Sequence, residues 1–235
     1  MSSICTYLWL TILPVFLATS ARAQMGGGGG WGSYPVLFKI QSPTNATQNE
    51  RYWFTNGVYH CEVLHGDGAF TPGNKTQPRT EQRFMPDYTS GEIQYQSMEM
   101  APSNANSYCI FQIHTGNAQS HRHGATTFML FWFSNDGGSV HDYAGKELAS
   151  NLGNKWFQLN VDHNVVRHTI TVWINQKRVW NQRDNGAEDF YFKDGVYVQH
   201  HNPSMVMDAY VKNIQIWTNS SAAVAPLTWS NGHPY

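Results

Sequence analysis

The 235-residue chain is poor in charge: only 13% of its residues are Asp, Glu, Lys or Arg, and 15 cations face 16 carboxylates for a net charge of −1. A nucleic-acid-binding surface needs a basic excess, and none is present, so no nucleic-acid partner is expected. Apolar runs long enough to span a bilayer are also missing. The one sustained apolar stretch, Leu8–Ala18, is too short for that and is followed by Ala21-Arg22-Ala23, a small-x-small cleavage pattern. Residues 1–23 therefore read as a secretory signal peptide, and a secreted, extracellular protein without a membrane partner is expected. No apolar pattern of helical period continues beyond two turns anywhere downstream of it.

Cysteine is scarce as well. Of three, Cys5 leaves with the signal, so Cys61 and Cys109 remain as an even pair in an oxidising compartment. A disulfide between them is expected, worth about 3–4 kcal/mol in the chain-entropy picture. Three Asn-x-Ser/Thr sequons, at Asn45, Asn74 and Asn219, mark candidate glycosylation sites.

What the chain has in abundance is aromatic residues, 14% of the total, placed in short alternating runs with β-branched neighbours and separated by Gly, Asn, Asp and Pro. Residues 24–33 hold a five-glycine run and read as a flexible leader. Residues 34–220 form the domain, and 221–235 a C-terminal tail. About ten strands without crossover helices predict an all-β sandwich of two antiparallel sheets, a jelly roll. Among the predicted strands are 36–40, 52–64, 79–85, 108–114, 190–199 and 206–217. Asn175-Gln176-Lys177 is placed where a hairpin reverses.

Three of these strands have one unusual polar face. Side chains alternate along a strand, so Gln112 and His114 project together while Cys109, Phe111 and Ile113 point the other way. Tyr191, Lys193, Tyr197 and Gln199 share a face of their strand, and Arg79, Glu81 and Arg83 share a face of theirs. His, Tyr, Gln, Lys and Arg are groups that bind and protonate anions.

The blocks Arg79-Thr80-Glu81-Gln82-Arg83, Gln112-Ile113-His114 and Tyr191-Phe192-Lys193-Asp194-Gly195-Val196-Tyr197-Val198-Gln199 resemble the three signature blocks of alginate lyases of polysaccharide lyase family seven, in the family's order. The sequence departs from the pattern at Gln82, at Phe84-Met85 and at Asp194, where the family carries Ala. Related jelly-roll lyases that cleave glucuronan share the architecture. The resemblance implies β-elimination on a uronate polymer held in a concave groove, with an anionic polysaccharide as partner, no metal or other cofactor, and a monomer. It assigns catalysis to Arg79, Gln112, His114 and Tyr197, and substrate contacts to Arg83, Lys193, Gln199 and the loop residue Arg122.

Those residue types suit the reaction. The proton on carbon five of a uronate is weakly acidic until the adjacent carboxylate is neutralised, which a guanidinium and an amide can do. Tyr197 would protonate the departing glycosidic oxygen, and would also serve as base if a cation lowered its pKa. His114 would be the base, or would help neutralise the carboxylate. In mannuronate and glucuronate the proton and the leaving oxygen lie on one side of the ring, so Tyr197 alone could serve. In guluronate they are opposed, and His114 must take the proton.

Other chemistries fit less well. A retaining glucanase needs two carboxylates on one face about 5–5.5 Å apart, whereas Glu92 and Glu99 fall on opposite faces of a strand. The close histidines His114, His121 and His123 enclose Arg122 and lack a carboxylate partner, which argues against a metal site. The alternative is a non-catalytic carbohydrate-binding protein on the same scaffold.

Overall fold

A computed structural model describes residues 30–73, 76–115, 126–186, 189–198 and 203–219. Its architecture follows from strands that alternate apolar and polar side chains and must bury one face. Fifteen strands are described. Eight form one antiparallel sheet: β1 (Trp31–Tyr34), β3 (Tyr52–Thr55), β4 (Val58–Leu64), β6 (Glu92–Met100), β11 (Phe157–Asn164), β12 (Thr169–Ile174), β13 (Lys177–Arg183) and β15 (Val206–Asn219). They are ordered β13-β12-β11-β6-β15-β4-β3, with β1 beside the end of β15. The second sheet contains β2 (Leu37–Gln41), β5 (Arg79–Met85), β7 (Tyr108–Thr115), β8 (Thr126–Phe133), β9 (Ser139–His141), β10 (Glu147–Ala149) and β14 (Phe190–Val198). Its order is β10-β9-β8-β7-β14-β5-β2. This is the predicted two-sheet jelly roll. The one α-helix among the described residues, α1 (Gln48–Arg51), is a single turn closed by a Thr47–Glu50 capping box.

The core lies between the sheets. Val63, Ile93, Tyr95, Leu159, Val161 and Met207 from the first meet Phe84, Phe111, Ile113, Leu130, Phe192 and Val196 from the second. Tyr95 is central: its ring centroid lies 4.8 Å from Phe111, 5.4 Å from Phe84 and 5.8 Å from Phe192. Each such side chain contributes roughly 1.5–3 kcal/mol on burial.

Several local expectations are corrected. Residues 52–64 form two strands, not one, because Asn56 and Gly57 both take the left-handed conformation (φ 53° and 78°) of a tight two-residue hairpin. The predicted reversal at Asn175-Gln176 is present (φ 49° and 66°), joining β12 to β13. Strand β13, with sequence KRVWNQR, is a polar sheet edge whose charges mask the alternation. Trp31–Tyr34, assigned mostly to the leader, pairs with Ile216–Asn219.

The outer face of the eight-stranded sheet carries an energetic flaw. Asn160 sits in the middle of β11, is 0% exposed, and neither its Oδ1 nor its Nδ2 has a hydrogen-bond partner. Asn is a poor strand former, and a buried unpaired polar group costs about 1–3 kcal/mol. Asn160→Val is therefore expected to stabilise the protein by about 1–3 kcal/mol, read as a higher urea midpoint at unchanged slope. A lower midpoint would contradict this.

Candidate active site

Strands β5, β14 and β7 are neighbours in the seven-stranded sheet, and their registers bring the three polar faces together. Tyr197 pairs with Arg79, Lys193 lies between Arg83 and Gln112, and Tyr191 pairs with His114. Paired residues project to the same side, so Arg79, Glu81, Arg83, Gln112, His114, Tyr191, Lys193 and Tyr197 all stand on the face turned away from the core. Phe84, Phe111, Ile113 and Phe192 fill the other face.

Irregular backbone adjusts this arrangement. Between Cys109 and Phe111, β7 carries one residue more than β8, and between Asp194 and Tyr197, β14 carries one more than β7. The first bulge sends both Ile110 and Phe111 into the core and turns Cys109 outward, beside Met129, Phe131 and Tyr197. Strict alternation placed Cys109 with Phe111, and that assignment is wrong. Cys61 faces the core from β4, so the two cysteines lie on opposite sides of the seven-stranded sheet. Both are free thiols, and the expected disulfide is absent. On β14, Gly195 adopts φ 131°, and a Cβ there would come within 2.4 Å of the Thr80 carbonyl oxygen. Only glycine allows β5 so close.

Glu81, noted in the sequence only for the face it shares, is the hub of the site. It is 1% exposed. Its Oε1 accepts from Gln112 Nε2 at 2.5 Å, and its Oε2 accepts from Arg79 Nη1 and Lys193 Nζ, both at 3.3 Å. Thr126 Oγ1 donates to Gln112 Oε1 at 3.3 Å, which orients the amide with its nitrogen toward Glu81. Lys193 is also 1% exposed; burial pushes its pKa down to about 8, with Glu81 opposing and Arg79 adding to the shift. Glu81 thus holds in place the three donors that surround it, and a carboxylate arriving from outside would meet an array already fixed.

The Arg79 guanidinium lies 4.1 Å over the Tyr197 ring. The condition for Tyr197 to serve as base, a cation that lowers its pKa, is not met. Burial raises it and outweighs the opposing pull of Arg79, with Glu81 raising it further. The phenol keeps its proton through neutral pH. His114 Nδ1 donates to the Thr115 carbonyl at 2.7 Å, which makes Nδ1 the protonated nitrogen and leaves the lone pair on Nε2.

Arg83, expected to contact substrate, is engaged elsewhere: Nη2 meets Asp87 at 2.5–2.6 Å, Nη1 donates to the Phe84 carbonyl at 3.1 Å, and the guanidinium lies 3.9 Å over the Tyr191 ring. Arg122, Gln199 and Asn74 lie outside the described residues, as do the signal segment and the tail. Asn45 is exposed, with its side chain bonded to Gly66 and Gly68; Asn219 is half-buried and donates to Glu92 at 3.2 Å. Two residues of the same face went unread in the sequence. Edge strand β2 pairs Lys39 with Arg83 and Gln41 with Glu81, and the alternation Leu37-Phe38-Lys39-Ile40-Gln41 is the signal that would have found them.

The profile of the family described as "Alginate lyase" matches residues 36–218, nearly the whole sandwich and all three strands of the site. The chain belongs to the alginate lyase family. Among solved alginate lyases of similar fold, AlgAT5 of polysaccharide lyase family 7 superposes with a TM-score of 0.57 at 17% identity, over 80% of this chain and 93% of its own. The alginate lyase PA1167 from Pseudomonas aeruginosa gives 0.58 at 15% identity, over 71% and 85%. A curated relative with another name is nearer in sequence: a "Citrate-binding protein" from Hevea brasiliensis is 31% identical over 221 residues, covering 92% of this chain and 90% of that protein. The chain thus has the alginate lyase scaffold, and its relatives carry names of different functions.

Proposed function

We propose that the protein is a secreted polysaccharide lyase that cleaves a uronic-acid polymer, alginate (mannuronan included) or glucuronan, by β-elimination and leaves unsaturated uronate ends. The observation that carries this reading is that a guanidinium, an amide, an imidazole and a protonated phenol project from three adjacent strands onto one face.

In this reading Arg79 and the second N–H of Gln112 hold the uronate carboxylate and stabilise the charge that builds on it as the carbon-five proton leaves. His114 Nε2 takes that proton. Electrons from the broken C5–H bond form the C4=C5 double bond, the C4–O bond breaks, and Tyr197 gives its proton to the departing oxygen. A phenol that remains protonated suits the acid, and an imidazole whose lone pair is fixed on Nε2 suits the base. Lys39, Gln41 and Lys193 would add contacts to the polyanion on the same face, and the protein would act as a monomer without a metal.

The citrate-binding name of the relative favours a second reading, a carboxylate- or carbohydrate-binding protein that uses the same cationic face without turnover. It needs Arg79 and Lys193 but has no use for His114 and Tyr197 as a pair. Incubating the mature protein with mannuronan, guluronan and glucuronan in parallel separates the two. The lyase reading expects ultraviolet absorbance from unsaturated ends on at least one polymer. Binding without any absorbance rise would replace it with the second.

A further inference from the structure

We infer that Tyr191 is a positioning residue for His114, a ring wall that fixes the imidazole and is itself clamped by Arg83; this rests on the lyase reading above. The three groups come from three adjacent strands. Tyr191 stands on β14, the middle strand, and is 8% exposed. From the β7 side the His114 ring stacks on it, centroids 5.1 Å apart and planes 27° from parallel. From the β5 side the Arg83 guanidinium lies 3.9 Å from its centroid. Arg83 in turn is anchored by the Asp87 carboxylate and the Phe84 carbonyl, so it cannot drift from the ring.

His114 needs such a wall. It is the last outward-facing residue of β7, next to the strand's end at Thr115. Its Nδ1 donates to the carbonyl of the neighbouring residue, Thr115, and that bond selects the tautomer. Stacking on Tyr191 restrains the ring plane and hence the direction of the Nε2 lone pair. Proton abstraction from carbon tolerates little misdirection, and a displacement of about 1 Å can cost about a hundredfold in rate. Burial raises the Tyr191 pKa, so its phenol stays neutral at working pH, and its contacts to His114 and Arg83 are made through the ring. The ring itself, rather than the hydroxyl, is the functional part.

The test compares Tyr191→Leu with Tyr191→Phe. On a polyuronate that the wild type cleaves, Tyr191→Leu is expected to lower kcat by about 10- to 100-fold with KM within about threefold, and Tyr191→Phe to keep kcat within about threefold. Wild-type kcat in the leucine variant, or equal loss in both variants, would overturn the inference. A second readout is independent of turnover: the His114 ring protons, followed by NMR, should lose the ring-current shift of the stacked tyrosine in Tyr191→Leu and keep it in Tyr191→Phe. If the wild type cleaves none of the three polymers, the lyase reading fails by itself, and unmoved His114 signals in Tyr191→Leu would then sink the wall as well. Should Tyr191→Leu not fold, Arg83→Lys, which keeps a cation beside Asp87 but loses the flat guanidinium, is expected to lower kcat several-fold and broaden the His114 signals. Unchanged kcat and signals there would overturn the inference.

Discussion

Replacing Tyr197 with phenylalanine is expected to remove nearly all turnover, a fall of about 10²- to 10⁴-fold in kcat, while affinity for an oligouronate stays within a few-fold. The substitution deletes one oxygen and leaves the ring beneath the Arg79 guanidinium, 4.1 Å from its centroid, so the cation that would hold the substrate carboxylate keeps its support. What is lost is the proton. Without it, the glycosidic oxygen must leave as an alkoxide, and among the described residues no other neutral acid stands beside Arg79: Glu81 is committed to Gln112, Arg79 and Lys193. Because burial holds the phenol above its ordinary pKa, loss of the Tyr197 proton should not limit wild-type turnover until well above neutrality. Kinetics on the cleaved polymer together with calorimetric binding of a short oligomer check the split. Retained turnover in Tyr197→Phe would remove the acid from the mechanism, and equal losses of binding and kcat would make Tyr197 a structural residue.

Much of this site could be read from alternation alone, and the limits of that reading are instructive. Arg79, Gln112, His114 and Tyr197 were placed on outward faces by period-two counting, and the registers of β5, β14 and β7 put those faces side by side. Counting fails where the period breaks. One extra residue near Ile110 reverses Cys109, and with it the disulfide, because a bulge moves every residue beyond it to the opposite face. It also fails where a residue's meaning depends on its partners. Glu81 reads as one more strand carboxylate until three donors from three strands converge on it, and Arg83 reads as a groove cation until Asp87 and Tyr191 are found around it. Asn56-Gly57 is a different failure: the turn signal was present in the sequence and was overridden by the aromatic run on either side of it.

The departure from the family pattern at Asp194 leads to the second large effect. Its neighbours Lys193 and Gly195 belong to the site and its backbone, but Asp194 itself points into the core, where it is 0% exposed, accepts a hydrogen bond from Tyr95 and lies beside the equally buried Glu99, which is bonded to Ser97. Burial pushes both carboxyls up, Glu99 well above its ordinary value and Asp194 to about 7. A carboxyl whose pKa is higher in the folded than in the unfolded state contributes its stability in full below the unfolded value, near pH 4. That contribution is lost as pH rises through the folded value near 7. Asp194→Asn keeps the shape and the acceptor for Tyr95 but cannot ionise. The variant should match the wild type near pH 4 and exceed it at pH 8 by a few kcal/mol, the gap opening as pH rises between those values. For a domain of this size that corresponds to a Tm higher by about 10 °C. Urea unfolding of both proteins from pH 4.5 to 8.5 measures the difference directly. A gap that is constant with pH would mean that Asp194 ionises as easily folded as unfolded, and a gap that widens toward acid would reverse the sign assigned to its burial. If the gap widens toward alkali as expected, the protein has a core that favours mildly acidic conditions beneath a site whose base, His114, needs its Nε2 lone pair. The useful pH range would then be bounded by imidazole protonation on one side and by ionisation of the core on the other.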